Sequence, residues 1–262
     1  MKIPLYQIDA FSNKPFRGNP AAICPLTSWL PDETMQSIAA ENNLAETAFF
    51  VPEGPLGRFG LRWFTPAVEV DLCGHATLAA AHLILDYLQP GLPQVWFDSK
   101  SGELTVKKVN GKLTLDFPSR PPAECTFDPS LLTALGGKPE KVLGARDYLV
   151  VYESEDDVRA LKPNMQALME IDRFAVIVTA PGRDADFVSR FFAPAKGVAE
   201  DPVTGSAHCT LIPYWAERLG KNKLHALQVS QRGGELWCEL HGDRVWMSGH
   251  AVRVIEGHFF LD

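Results

Sequence analysis

Phe64-Thr65-Pro66-Ala67-Val68-Glu69-Val70-Asp71-Leu72-Cys73-Gly74-His75-Ala76-Thr77-Leu78 has a counterpart in the second half of the chain, where Phe192 to Leu211 reads FAPAKGVAEDPVTGSAHCTL. Phe64, Pro66 and Ala67 align with Phe192, Pro194 and Ala195. After a three-residue insertion in the second copy, Glu69, Leu72, Gly74 and Ala76 align with Glu200, Val203, Gly205 and Ala207. Two copies of one loop-to-helix device mark a duplicated fold, and such devices tend to face each other across a shared cleft.

A chain of 262 residues is long enough for two domains, each with its own core. The composition, 46% hydrophobic and 22% charged, is that of a soluble globular protein rather than a disordered one. A formal charge of -7 argues against a nucleic-acid or anionic-membrane partner, either of which needs a basic footprint. The opening Met-Lys-Ile-Pro-Leu-Tyr-Gln-Ile-Asp lacks the apolar core of a signal peptide. The richest apolar run, Ala76 to Leu85, contains His82 and is too short to span a bilayer. Five cysteines, an odd number without a CxxC pair, indicate neither a disulfide framework nor a zinc knuckle. A reducing cytoplasm is the simplest location.

Along the chain, Ile3 to Ala10 reads as a strand, followed by a Gly- and Pro-punctuated loop, NKPFRGNPAA. Asp32 reads as the N-cap of a helix ending near Asn42 and Asn43. Glu46 to Val51 and the alternating Arg58 to Phe64 read as strands, leading into the first loop and a helix from Gly74 or His75. On that helix Leu78, Ala81, His82 and Leu85 make a wide apolar face. Strands follow to Phe117, with Asn110-Gly111 as a hairpin turn. Pro118, Pro121 and Pro122 mark the domain boundary. This assigns 1–118 to the first half, joined by a C-terminal strand within 251–262, and 123–250 to the second.

The second half repeats the order. It has a short helix near Asp128 to Leu135, strands at Asp147 to Glu153, Phe174 to Thr179 and Phe187 to Phe192, a helical Asn164 to Ile171, and a helix from Gly205 to Leu219. Strands at Leu227 to Gln231, Glu235 to Leu240, Arg244 to Ser248 and Val252 to Glu256 complete it. The fold class is α+β, with two similar halves, each a mostly antiparallel, barrel-like sheet around a central helix and mainly hairpin connections. Pro213 inside the second long helix removes a backbone donor and is expected to bend it.

Both long helices begin with glycine, at Gly74 and Gly205, where unpartnered N–H groups and a partial positive charge suit a substrate carboxylate. For a single helix, packing glycines and ordinary caps are the commoner outcome; the duplication is what favours a site. Glu46, at the entrance of an apolar strand, would have its pKa raised by burial and serve as a general base, although a solvated glutamate is the usual alternative. Glu69, Asp71, Glu200 and Asp201 crowd the two loops, and only one or two of them need point inward. His75 offers a donor or proton acceptor, while a metal is not indicated because no second His or Cys lies at ligand spacing with a carboxylate. Cys73 is either a thiol activated by the helix start or an inert buried one. His208, opposite Thr77 in the repeat, and His82 read as core or boundary histidines. Dinucleotide, Walker and nucleophile-elbow motifs are absent from the sequence.

The segments DAFSNKPFRGNPAAI, ETAFFV, FTPAVEVDLCGHATLAAAH, EDPVTGSAH and SGHAV, in that order from about residue 3 to about residue 256, resemble the PhzF-like family of phenazine-biosynthesis isomerases. The resemblance implies the diaminopimelate-epimerase fold, a homodimer, and neither metal nor organic cofactor. It implies that Glu46 is the acid/base moving a proton between carbons, with His75 and Asp201 as the substrate-contacting pair beside it. Gly74, Gly205 and Ser206 match positions that hold a substrate carboxylate, and Asn19 and Cys73 lie in motifs of the substrate site. Epimerases of this fold use a cysteine at each helix start; here the second position is Thr204, whose hydroxyl is a poor acid/base, so one-base proton transfer is the better expectation. The competing readings are a non-catalytic binding or scaffold protein with the same cleft, and an amino-acid epimerase using Cys73.

Overall fold

Aromatic and β-branched residues fill the strands on either side of each quoted loop, and the pairing of those strands makes the duplication visible. The computed structural model describes residues 1–261. Its chain divides into one unit of Met1–Asp116 with the segment from Ser248 onward, and another of Phe117–Met247.

The first unit contains β1 (Lys2–Ala10), β2 (Asn19–Pro25), β3 (Glu46–Pro52), β4 (Arg58–Phe64), β5 (Glu69–Val70), β6 (Gln94–Ser99), β7 (Gly102–Val109) and β8 (Lys112–Pro118), with helices α1 (Asp32–Asn42) and α2 (Gly74–Leu83). In order, β2 pairs parallel with β3, β3 antiparallel with β4, β4 parallel with β6, and β6 antiparallel with β7. The second unit contains β9 (Ala123–Glu124), β10 (Lys141–Gly144), β11 (Tyr148–Val151), β12 (Val176–Pro181), β13 (Phe187–Phe192), β14 (Lys223–Gln228), β15 (Gly234–His241) and β16 (Arg244–Gly249). Its helices are α3 (Ser130–Leu135), α4 (Glu155–Ala160), α5 (Met165–Leu168) and α6 (Gly205–Leu219). There β11 pairs parallel with β12, β12 antiparallel with β13, β13 parallel with β14, and β14 antiparallel with β15. The two orders are identical. A parallel pair cannot be closed by a tight hairpin and needs a crossover, so each unit has two helical crossovers where mainly hairpins were expected.

All ten residues of α2 are buried, which makes it a core helix on every face rather than an amphipathic one. It packs on β1, β2 and β3 and on the C-terminal strand Ala251–Phe260, which pairs antiparallel with β1 along its whole length. The helix α6 runs continuously through Pro213. Proline has no N–H for the carbonyl four residues back, and the Cys209 carbonyl instead accepts from the Arg120 backbone N–H at 2.8 Å. Trp215, fully buried on the same helix, stacks on Phe187 at 5.6 Å and donates its indole N–H to Thr179 at 2.9 Å.

Three local readings change. Asp32 is the first residue of α1, not its cap; Pro31 takes the cap position, and the Asp32 carboxylate pairs with Arg62 at 2.9 Å. The strand expected at Leu227 to Gln231 lies earlier, at β14. Residues 19–22, expected as the end of a loop, open β2, because the apolar Pro20-Ala21-Ala22-Ile23-Cys24 run is drawn into the core between β1 and β3.

The loop before β2 turns on three residues with positive φ, Phe11, Phe16 and Gly18. The buried Asp9 carboxylate receives the Phe16 N–H at 2.8 Å and sets its path. At Gly18, φ is +70° and an added Cβ would lie 2.1 Å from the Ala10 carbonyl oxygen. A left-handed backbone alone costs a non-glycine residue about 1–2 kcal/mol, and the clash with backbone adds to it. Gly18→Ala is therefore expected to lower unfolding stability by at least about 2 kcal/mol, read from urea unfolding. A variant as stable as the parent would show that this loop is not seated as described.

Candidate active site

Each quoted loop is braced to the strand before it in the same way. Arg62 on β4 forms two hydrogen bonds to Glu69, at 2.7 and 2.9 Å, with its guanidinium 5.2 Å from the Phe64 ring. Arg190 on β13 forms two to Glu200, also at 2.7 and 2.9 Å, and lies 4.9 Å from Phe192. The planar fork of arginine matches a carboxylate bidentately and fixes orientation as well as distance. Glu69 and Glu200 thus hold the loops in place. The signal was in the sequence: an arginine stands two residues before each aligned phenylalanine.

In the first unit the brace delivers Cys73 and His75 to the start of α2. Cys73 is the cap residue, and its carbonyl receives the Thr77 hydroxyl at 2.6 Å. Glu46, at the start of β3, brings its Oε2 to 3.2 Å from the His75 Nε2. Both atoms are buried, and neither has a well-aligned hydrogen bond among the described residues. The Asn19 amide lies 3.1 Å from the His75 Nδ1, and the Cys73 Sγ 3.5 Å from the same nitrogen. His75 is 4% exposed and Cys73 6%, whereas the Glu46 side chain retains 18%. Glu46 is the member of the group most open to solvent.

Burial raises the Cys73 pKa, and the neighbouring Glu46 carboxylate raises it further. At neutral pH the sulfur is therefore a thiol. Burial works against a charged His75, yet its neighbours carry its pKa well above the ordinary 6.5. The raising influences are the Cys73 sulfur first and the Glu46 carboxylate second. The arrangement offers a carboxylate for accepting a proton and an imidazole N–H beside it.

In the second unit the corresponding helix start is tied down by Gln228 of β14, which is 1% exposed. Its Oε1 accepts from the Thr204 backbone N–H at 2.8 Å, and its Nε2 donates to the Asp201 carbonyl at 2.8 Å. The Thr204 hydroxyl donates to the Asp201 carboxylate at 2.5 Å, so Thr204 positions Asp201. Ser230 holds the Pro202 carbonyl at 2.8 Å. Ser206 receives a hydrogen bond at 3.1 Å from Arg146, which is bidentate on the buried Asp147 and stacked 4.4 Å over Phe174. Gly205 opens α6 directly beneath this array.

His208 occupies the position of Thr77 in the repeat and does the same work: its Nδ1 donates to the Thr204 carbonyl at 2.8 Å, as Thr77 does to Cys73. Its Nε2 faces no hydrogen-bond partner among the described residues. Full burial pushes the imidazole pKa down to about 4. Because the folded value is depressed, the unfolded chain takes up the proton first as pH falls through about 6.5, and stability drops until about 4. The slope is about 1.4 kcal/mol per pH unit. His208→Asn keeps a donor near the Thr204 carbonyl but removes the titration. Between pH 6.5 and 5 the parent is expected to lose about 1.5 kcal/mol more than the variant in urea unfolding; parallel curves would refute the buried neutral imidazole.

Of the residues expected from sequence, Glu46, His75, Cys73, Gly74 and Asn19 gather in the first unit, and Asp201, Gly205 and Ser206 in the second. Arg146, Asp147 and Gln228 were not singled out from sequence. Gln228 ends a strand whose start was read four residues late, and Arg146 and Asp147 belong to no repeated motif. The metal argument from sequence weighed only neighbours along the chain. In space Glu46, Cys73 and His75 bring three donor atoms within 4.8 Å of one another. All five cysteines are free, and among the described residues no helix is long and apolar enough to cross a membrane.

This mixed α+β architecture sets a carboxylate beside an imidazole at the start of a core helix, a pairing suited to proton transfer. The model of the phenazine biosynthesis-like protein family matches residues 8–257, and the chain belongs to that family. An uncharacterized isomerase of Pseudomonas aeruginosa is 56% identical over the full length of both chains. A crystal structure of a phenazine biosynthesis protein of the PhzF family from Enterococcus faecalis superposes with a TM-score of 0.96 at 46% identity, covering both chains completely. A structure described as a predicted epimerase from Pseudomonas aeruginosa, 19% identical, shares the fold with a TM-score of 0.76 over 99% of this chain and 100% of that one.

Proposed function

We propose that this isomerase acts without a cofactor, moving a proton between carbons of one small carboxylate-bearing substrate, with Glu46 as the single acid/base. The observation that carries this reading is the Glu46 carboxylate at 3.2 Å from His75, with neither facing atom committed to another hydrogen bond among the described residues. Glu46 accepts the proton from the first carbon, becomes neutral, and returns the same proton to a second carbon. His75, protonated beside it, donates a hydrogen bond to negative charge developing on the substrate. In the first unit Gly74 at the start of α2 offers backbone N–H donors to a carboxylate, and in the second Gly205 and Ser206 at the start of α6 offer N–H and hydroxyl donors to one. Asp201, fixed by Thr204, is a second substrate contact.

A two-base epimerisation finds less support. It requires an acid/base at each helix start, and Thr204 already donates its hydroxyl to Asp201 at 2.5 Å. A homodimer and a cytoplasmic, biosynthetic setting belong to this proposal as well. The test is NMR in deuterated water with a panel of small unsaturated and amino carboxylates that includes dihydro-hydroxyanthranilate. Deuterium entering one carbon position at a catalysed rate supports proton transfer and names the substrate class; ligands that bind without exchange would favour a binding protein.

A further inference from the structure

In the second unit two cations lean on one exposed aromatic ring beside Ser206. The Arg146 guanidinium lies 4.4 Å from the centre of Phe174 and the Lys196 ammonium 5.3 Å from it, and Phe174 is 41% exposed. Arg146 commits Nε and Nη2 to Asp147 and Nη2 also to Ser206, which leaves its Nη1 without a hydrogen bond among the described residues. The Lys196 ammonium has neither a carboxylate nor a hydrogen-bond acceptor among them, and touches the ring alone. Held at those distances from one ring, the two charges are no further apart than about one Debye length at 0.1 M salt, about 10 Å, so they repel each other. Of the flanking charges, Arg173 is turned to the Ala145 carbonyl and the Tyr148 ring, and Asp172 accepts the Tyr148 hydroxyl at 2.6 Å. Asp147 compensates Arg146, and Lys196 is left without a counter-charge.

We propose that the Arg146 Nη1 group and Lys196 form a subsite for a second anionic group of the substrate, over Phe174 and next to the Ser206 hydroxyl, so that this isomerase acts on a dicarboxylate rather than a monocarboxylate. In a chain of formal charge -7 acidic partners are plentiful, yet Lys196 is set against a ring instead. The negative face of the ring attracts both cations without consuming their N–H donors. Arginine keeps part of a planar fork ready for a carboxylate, and lysine adds a mobile point charge. A carboxylate settling there relieves the repulsion between the two. Arg146 also joins this subsite to the neighbouring one, since its Nη2 donates to Ser206 at 3.1 Å. The link to catalysis rests on the reading of Ser206 as a holder of the substrate carboxylate; anion capture rests on the two cations alone.

The probes are two pairs of anions that differ by one carboxylate, crotonate with glutaconate and benzoate with isophthalate, titrated against the full-length protein and followed by ligand line broadening in NMR. In at least one pair the dianion is expected to bind about 3–10-fold tighter, the factor that a partly exposed charge pair contributes, and the preference should shrink as salt is raised. Lys196→Met keeps an apolar stem against Phe174 and should abolish the preference, with circular dichroism confirming the fold. Lys223→Met removes the same charge from a side chain that is 82% exposed on β14 and should leave the preference in place. Equal affinity for monoanion and dianion in both pairs, or a preference that survives Lys196→Met, overturns the subsite. Deuterium exchange on glutaconate is read from the same spectra in deuterated water. A Lys196-dependent preference establishes the subsite whether or not exchange occurs, and exchange without the preference upholds proton transfer while the subsite falls.

Discussion

Glu46→Gln is expected to slow substrate proton exchange by about 10²–10⁴-fold, the range that a positioned general acid/base contributes, while leaving substrate affinity within a small factor of the parent. The substitution is close to isosteric, and the amide oxygen can still accept from the His75 N–H at the 3.2 Å separation now held by the carboxylate. What disappears is the ability to hold a proton between two carbons. Deuterium incorporation followed by NMR separates this from a binding defect, because line broadening of the substrate reports affinity on the same sample. Exchange at the wild-type rate would move the base elsewhere, and Cys73 is the next candidate. Its thiol is held protonated by burial and by the Glu46 charge, so Cys73→Ala is expected to exchange at close to the parental rate.

The duplication was legible because it is written in residue types with few substitutes: a phenylalanine and a proline recur at the same offset, and a helix-opening glycine recurs after a three-residue insertion in the second copy. The helix beginnings at Gly74 and Gly205 follow from them. Parallel pairing was not legible. The partners β2 and β3 are joined through α1, and no local pattern in Asn19–Pro25 distinguishes a central strand from an apolar loop until β1 and β3 enclose it. The site divides on the same line. Residues at the helix starts and in the repeated loops could be read, as could the arginines of the two braces had the repeat been extended upstream. Gln228 could not be, since an isolated glutamine in a strand becomes a clamp only when Asp201 and Thr204 are brought to it from a loop more than twenty positions earlier. The gathering of Glu46, Cys73 and His75 was not legible from spacing along the chain, because it is made in space. Its third member arrives from another strand.

Arg146→Met is expected to be the most destabilising of the substitutions considered. Asp147 is 1% exposed, and its carboxylate receives both arginine hydrogen bonds, at 3.0 and 2.8 Å. Removing one member of a buried pair leaves an uncompensated charge and costs about 3–5 kcal/mol. The Arg146 side chain itself is 32% exposed, so water can reach the freed carboxylate from that side and the expected loss falls to about 2–3 kcal/mol. Methionine retains apolar length over Phe174, which the guanidinium now covers at 4.4 Å, so the loss reports charge rather than packing. The double variant Arg146→Met with Asp147→Asn removes the charge as well and should recover most of the stability; the coupling between the two changes measures the pair. Urea unfolding of the four proteins in this cycle decides the matter. If the double variant is no more stable than Arg146→Met, the cost lies in the lost arginine contacts and not in a stranded Asp147. The same substitution releases Ser206 from its 3.1 Å partner, and on the proposed reading substrate affinity should fall with turnover less affected, which distinguishes a carboxylate-holding hydroxyl from a purely structural one.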